Sequence, residues 1–170
     1  MRLQIFKAIA QRLREAVPEV KFISVWNEQL ATIQTGKAWP LPAVFVEFDA
    51  HSWRSVGMGL READIPVILH IVTRAADFNG SADVRRMDKA LAYLDTIDSI
   101  DAALEGLSGP NFSSFMLTQS FPNHSHAELV ENIEQFVTRA RCTASARKVK
   151  SIEAALVLSA QYDKKSDPHP

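Results

Sequence analysis

The segment of residues 64–73 carries apolar side chains that would lie on both faces of an extended chain. One face would carry Ile65, Val67, Leu69 and Ile71, and the other would carry Ile68 and Val72. A strand that is apolar on both faces has to be covered on both sides, so it belongs in the interior of a sheet. The apolar stretch is also far shorter than the ~20 residues that a membrane-spanning helix needs. The sequence therefore predicts a sheet built around this strand and no membrane segment.

Other segments rich in aromatic and β-branched residues predict the remaining strands. These segments are residues 22–26, 43–48 and 53–58 before the interior strand, and residues 112–121, 132–141 and 151–162 after it. Residues 129–140 also fit a helix, because their apolar residues recur at three- and four-residue steps. We interpret them as a strand. The last segment alternates without a fault from Ile152 to Tyr162, which favours a strand although it contains alanines.

Two segments have the period of amphipathic helices. The first covers residues 3–17 and ends at Pro18, which lacks an N–H and disfavours helical geometry in the residue before it. The second is expected to begin after an N-cap at Ser81 and to cover residues 84–104. Its predicted apolar stripe consists of Val84, Met87, Leu91, Leu94, Ile97, Ile100 and Leu104. We expect the whole stripe, including Leu91, to be buried against the sheet.

These elements predict an α+β fold, with a mainly antiparallel or mixed sheet, an N-terminal helix and one long helix packed on one face. A chain of 170 residues suits a single domain. We place this domain at residues 1–162 and a flexible tail at residues 163–170. The single cysteine, Cys142, cannot form an intramolecular disulfide. Together with the lack of a signal-peptide core near the N-terminus, it predicts synthesis in a reducing cytosol.

Charge is distributed unevenly along the chain. The net charge is −1, yet residues 90–138 contain seven Asp or Glu and no Lys or Arg. Three of these acids, Asp95, Asp98 and Asp101, lie on a common side of the second predicted helix. The simpler interpretation is a solvated helix face. The alternative interpretation is that these three acids form one half of an electrostatic interface with another subunit. The candidate residues for its other half are Arg139, Arg141, Arg147 and Lys148, with Trp39 as an apolar contact in the loop of residues 27–42.

Few residues suggest a catalytic or metal site. His124 and His126, followed by Glu128, have metal-ligand chemistry, but three such groups in a polar turn are more typical of a loop. His70 lies within the interior strand, where a hydrogen-bonded core histidine is more common than a catalyst. No Walker-type loop, G-x-G-x-x-G, G-x-S-x-G or H-E-x-x-H motif occurs. We therefore predict no catalytic residue, no metal site and no cofactor.

A nucleic-acid function is also disfavoured. Glu47, Asp49 and Asp64 could form a nuclease-like acidic set, but the lysine that commonly follows such an acid by two residues is missing. Trp26, Trp39 and Trp53 could stack on bases, yet the basic residues are dispersed rather than gathered into one groove. We expect no sequence-specific contact with nucleic acid.

The order of elements, together with three segments, resembles a known family. The segments read PAVFVEF from Pro42, DIPVILHIV from Asp64 and ALAYLDTIDSI from Ala90. Over roughly residues 1–140 the chain is similar to the tail terminator or tail completion (minor tail) proteins of long-tailed bacteriophages and prophages. The resemblance implies a non-catalytic subunit that assembles as a ring, often a hexamer, between the tail tube and the head. It implies tail-tube and head-completion proteins as partners, and a location in the bacterial cytoplasm during assembly and then in the virion tail.

Two other classes stay open on the sequence alone. One is a small metal-dependent hydrolase that uses His124, His126 and acids brought together by the fold. The other is a monomeric module that binds another protein. The segment after residue 140 has no assigned counterpart in the resemblance, so the role of its basic residues and of the last predicted strand is left open.

Overall fold

The computed structural model of the protein describes residues 1–27, 39–74, 84–123 and 129–143. Within these ranges the elements are α1 (Arg2–Ala16), β1 (Phe22–Val25), β2 (Ala43–Phe48), β3 (Arg54–Gly57), β4 (Leu60–Arg74), α2 (Val84–Leu104), β5 (Met116–Asn123) and β6 (Leu129–Cys142). The predicted α+β class is confirmed. The strand predicted at residues 151–162 and the tail at residues 163–170 lie outside the described residues.

The strands form one mixed sheet in the order β1-β2-β4-β6-β5, with β3 paired to the first part of β4. β1 and β2 run parallel, and the other pairs are antiparallel. β4 lies between β2 and β6, and its pairing with β6 is continuous from Arg61↔Cys142 to Arg74↔Leu129. The predicted interior position of this strand and the strand state of residues 129–140 are both confirmed. β4 begins at Leu60 rather than at residue 64, because its first residues pair with β3 and β6.

Both helices pack on the same face of the sheet and form the main core with it. The helices contribute Ile5, Ile9 and Leu13 from α1, and Ile97, Ile100 and Leu104 from α2. The sheet contributes side chains that include Val44, Val46, Val67, Leu69 and Phe136. Because each fully buried aliphatic side chain contributes roughly 1.5–3 kcal/mol relative to an exposed one, this layer holds the helices on the sheet.

The apolar stripe predicted for α2 is wrong at Leu91 and Leu94. The side chains of Val84 and Met87 lie outside the described part of the helix. Leu91 is 44% exposed and Leu94 is 41% exposed, whereas Ile97 is 4% exposed and Ile100 is fully buried. A step of three residues turns an α-helix by about 300°, so repeated steps of three move around the helix by about 60° each. The inward side instead runs through Tyr93, Ile97, Ile100 and Leu104, at steps of four, three and four. Leu91 therefore faces away from the sheet, and Leu94 lies at the exposed edge of the inward side.

The strand predicted at residues 112–121 is observed later, at Met116–Asn123. Phe112 and Phe115 precede it in an irregular segment, and both rings reach the main core. Gly109 and Phe112 form a tight turn in which each N–H donates to the other's carbonyl oxygen. A Cβ atom on Gly109 would lie 2.4 Å from the Phe112 ring, so only glycine fits. The aromatic residues that predicted an early strand start therefore precede the strand and pack in the main core instead.

A smaller apolar cluster lies on the opposite face of the sheet. Its buried members are Ala43, Phe45 and Val72, and Trp26 and Trp39 pack against them. The ring centroids of Trp39 and Phe45 are 5.3 Å apart, so Trp39 packs within the chain against this cluster. Neither α1 nor α2 has the combination of length and apolar composition that crossing a membrane requires.

Candidate interaction surfaces

The outer face of α2, defined here by Leu91, Leu94, Asp95 and Asp98, combines exposed apolar and acidic side chains. All four residues are exposed. Asp95 and Asp98 follow Leu91 by four and seven residues, so all three lie on one side of the helix. No Lys or Arg occurs in residues 90–138 to neutralise the two aspartates locally. This surface therefore carries two apolar side chains followed by two negative ones.

The order of charges along α2 is the opposite of the one that would stabilise the helix. Arg85 and Arg86 lie at its start, while its first turn has no acid and its last turn has no base. Glu105 follows directly after its last residue. A helix dipole favours acids near the N-terminus and bases near the C-terminus. The acids near the C-terminus of α2 are therefore not explained by the helix dipole. One of them, Glu105, accepts a hydrogen bond from the N–H of Leu117 at 2.9 Å.

Asp101, the third predicted interface aspartate, turns toward the sheet and does not belong to the outer face. Burial raises the pKa of Asp101 to about 7, and the charges of Glu134, Asp98 and Glu105 add to this effect. Glu134 on β6 is fully buried, and burial raises the pKa of its carboxyl also. Ser120 Oγ donates to Glu134 Oε1 at 2.7 Å, but Asp101 Oδ1 and Glu134 Oε2 have no hydrogen-bond partner among the residues that the structure describes. Asp101 therefore keeps its proton at a higher pH than an ordinary aspartate.

The two described members of the predicted basic half, Arg139 and Arg141, are paired with acids within the chain. Arg139 Nε donates to Asp64 Oδ1 at 2.8 Å, and Arg141 Nη2 donates to Glu62 Oε1 at 2.6 Å. Arg54 binds the second carboxylate oxygen of Glu62 at 3.2 Å. Hydrogen bonds from these arginines hold the pKa values of Glu62 and Asp64 below their usual range.

The structure thus brings Arg139 and Arg141 onto acids of β4, and not next to Asp95 and Asp98. Arg147 and Lys148 lie outside the described residues. The pairing of the two arginines follows from the antiparallel register of β4 and β6, which places Asp64 opposite Arg139 and Glu62 opposite Arg141. No local pattern in the sequence reveals that register.

Unpaired cations lie on α1, which the sequence analysis did not single out. Lys7, Arg12 and Arg14 are exposed, and none of them forms an ion pair with another residue that the structure describes. Leu3, on the same helix, is 65% exposed. We define Leu3, Lys7 and Arg14 as the α1 basic flank, because intervals of four and eleven residues return to one side of a helix. The signal was present in the sequence as charge on an amphipathic helix.

A row of polar side chains crosses the sheet on the face opposite the helices. His70 Nδ1 lies 2.7 Å from Glu131 Oε1, and His70 Nε2 lies 2.9 Å from Glu47 Oε2. The Trp26 ring stacks on the imidazole, with centroids 3.7 Å apart and planes 5° apart. Asn123 Nδ2 donates to the other oxygen of Glu131 at 2.6 Å. The row joins residues from five strands or their ends, and the prediction that His70 is a hydrogen-bonded core histidine is confirmed.

The other residues considered for catalysis or metal binding do not come together in the described part of the chain. Glu47 is bound to His70, Asp64 is bound to Arg139, and Asp49 accepts a hydrogen bond from the N–H of Ala50. Within the same ranges, no three His, Cys, Asp or Glu side chains are grouped so that they could hold a metal ion. His124 and His126 lie outside the described residues.

Comparisons with known proteins found similarity among solved structures only. No protein-family model matches the chain, and no curated protein matches it. Among solved structures, the chain is similar to one from a structure described as "Virion of native gene transfer agent (GTA) particle". The match has a TM-score of 0.49 and 15% sequence identity, and it covers 81% of this chain and 94% of that chain.

Proposed function

We propose that the protein is a structural subunit of a bacteriophage tail or of a phage-derived particle. In this proposal it acts as a tail terminator, forming a ring at the head-proximal end of the tail tube. The observation that carries the proposal is the outer face of α2, where Leu91 and Leu94 are exposed between acidic side chains. Neighbouring exposed apolar side chains bordered by polar ones are typical of surfaces that contact another protein.

The placement of the three resembling segments supports the same class of protein. PAVFVEF forms β2 with its preceding Pro42, DIPVILHIV lies within β4, and ALAYLDTIDSI lies within α2. β2 and β4 are paired, and α2 packs on the face of the sheet that they share. Segments that are distant in the chain thus form one continuous unit.

Ring assembly follows from the kind of contact that two different surfaces make. A contact that joins one surface of a subunit to a different surface of the next can repeat, and it closes when the rotation per subunit divides a full turn. Apolar residues would supply most of the affinity, while opposed charges would set the register and speed the encounter. The tail-tube and head-completion proteins would contact the two open faces of the ring.

The test is the size and shape of the purified protein over a concentration series. Sedimentation velocity between ~1 and ~200 μM should show a closed oligomer, with a hexamer as the expected size, and negative-stain microscopy should show rings. Raising the salt concentration from ~0.05 to ~0.5 M should weaken the assembly, because the Debye length falls from above ~10 Å to below ~8 Å. A monomer at every concentration, or a closed dimer, would contradict the proposed ring.

A further inference from the structure

We infer that the outer face of α2 in one subunit docks onto the α1 basic flank of a second copy of this chain. The inference rests on the proposed function and names the two surfaces that would form the contact. The outer face supplies Leu91 and Leu94 with Asp95 and Asp98, and the basic flank supplies Leu3 with Lys7 and Arg14.

The two surfaces match in chemistry. Leu3 is 65% exposed, beside two cations that have no ion-pair partner among the described residues. The exposed leucines of α2 lie beside two acids in a segment that has no cation. On α2, Leu91 lies within about 60° of Asp95 and Asp98 around the helix, and Leu94 lies beside them. On α1, Leu3 lies within about 60° of Lys7 and Arg14. Two helices in contact on these sides would bury the leucines and bring opposite charges together.

The second copy is preferred over other occupants because each chain carries both surfaces. The other cations considered for the interface are less suited to it, since Arg139 and Arg141 already bind Asp64 and Glu62. To use those arginines, an assembling subunit would have to break ion pairs that it has formed. Lys7 and Arg14 require no such exchange.

α1 and α2 lie side by side on one face of the sheet, so the contact cannot form within one subunit without removing a helix from the core. Both helices are anchored by fully buried residues, among them Ile9 in α1 and Ile100 in α2. The complementary surfaces can therefore meet only between copies. A contact of this kind joins unlike surfaces and suits a ring.

The inference is tested by complementation between two charge-reversed variants. In the first, Asp95→Lys is combined with Asp98→Lys; in the second, Lys7→Glu is combined with Arg14→Glu. Each variant alone would bring like charges together at the contact, and we expect its self-association at ~0.05 M salt to be weaker than that of the unmodified chain by at least ~10-fold. Mixed in equal amounts, the two variants present opposite charges at every contact, and we expect assembly to return with the variants alternating.

Arg12→Glu is the matched control. Arg12 is an exposed cation of the same helix, but it follows Leu3 by nine residues and so lies on the opposite side of α1. We expect this variant to assemble as the unmodified chain does. Circular dichroism of every variant checks that the fold is retained, as expected for exposed positions.

The outcomes separate this contact from the ring itself. Variants that assemble alone as well as the unmodified chain, or a mixture that fails to assemble although both variants are folded, would overturn the α1–α2 contact and leave the proposed ring standing. A closed dimer that the mixture restores would support the contact and overturn the ring. An unmodified chain that is monomeric throughout would overturn both.

Discussion

The two halves of residues 91–104 in α2 both contain apolar side chains and have different surroundings. Toward the C-terminus, Ile97, Ile100 and Leu104 are buried in the main core. One turn earlier, Leu91 and Leu94 are exposed beside aspartates. The difference shows that apolar composition does not decide the role of a helical residue. The direction in which the residue points relative to the sheet decides its role. Residues that point away from the core are available to contact another molecule.

The largest effect is expected in the buried half. Replacing Ile100 with Ala removes a fully buried side chain and leaves a cavity beneath α2. We expect the free energy of unfolding to fall by about 2–5 kcal/mol, measured by urea denaturation. The matched control is Leu91→Ala, which truncates an apolar residue of the same helix on its exposed side. Equal losses for the two variants would show that the halves of α2 do not differ.

A smaller effect of opposite sign is expected at Asp101, which lies on the inward side of the helix. Because its pKa is raised from 3.8 to about 7, folding favours the protonated acid. The associated stability is fully present below about pH 4, and it is lost as the pH rises through about 7. Asn at this position keeps the shape of the protonated acid and carries no charge at any pH.

We therefore expect Asp101→Asn to stabilise the protein at pH 8 by about 1–2 kcal/mol. This is less than the full pKa shift would give, because solvent screens a partly exposed group. At pH 4 the variant and the unmodified chain should unfold at similar temperatures. Asp95→Asn, on the outer face, serves as the control and should change neither curve. A variant that is no more stable than the unmodified chain at pH 8 would show that Asp101 is not held in its neutral form.

The smallest change in stability is expected for Leu91→Ala itself. An exposed leucine contributes little to folding, so the free energy of unfolding should change by less than ~0.5 kcal/mol. The same substitution removes apolar surface from the proposed contact and should weaken self-association. Denaturation and sedimentation of one sample measure both quantities. A loss of stability comparable with that of Ile100→Ala would show that Leu91 is buried in the core, contrary to this prediction.

The sequence predicted the elements well because each segment carries its own period. The strand at residues 43–48 and the helix at residues 84–104 have the observed bounds. The interior place of β4 was predictable because Ile68 and Val72 make its second face apolar. The errors lie where tertiary context overrides local pattern. Phe112 and Phe115 suggested a strand, but the Gly109 turn directs their rings into the core.

The candidate surfaces were less predictable than the fold, because their residues meet across the sheet. Spacing by three placed Asp95, Asp98 and Asp101 together, yet only the first two share the outer face of α2. The partners of Arg139 and Arg141 are set by the register of β4 and β6, which separates Asp64 from Arg139 by 75 positions in the chain. The row through His70 depends on the same pairing.

The long pairing of β4 with β6 also bears on how the chain is made. A ribosome finishes β4 at Arg74 and completes its neighbour only at Cys142, which takes roughly 3–14 s at ~5–20 residues per second. Until then β4 lacks its neighbour β6, and the sheet on which the helices pack is incomplete. The apolar surfaces of the nascent chain are therefore accessible to chaperones and prone to aggregation. A sheet with so many distant pairings also folds slowly. Subunits should therefore complete their fold after translation, one by one, and only finished subunits would be available for assembly.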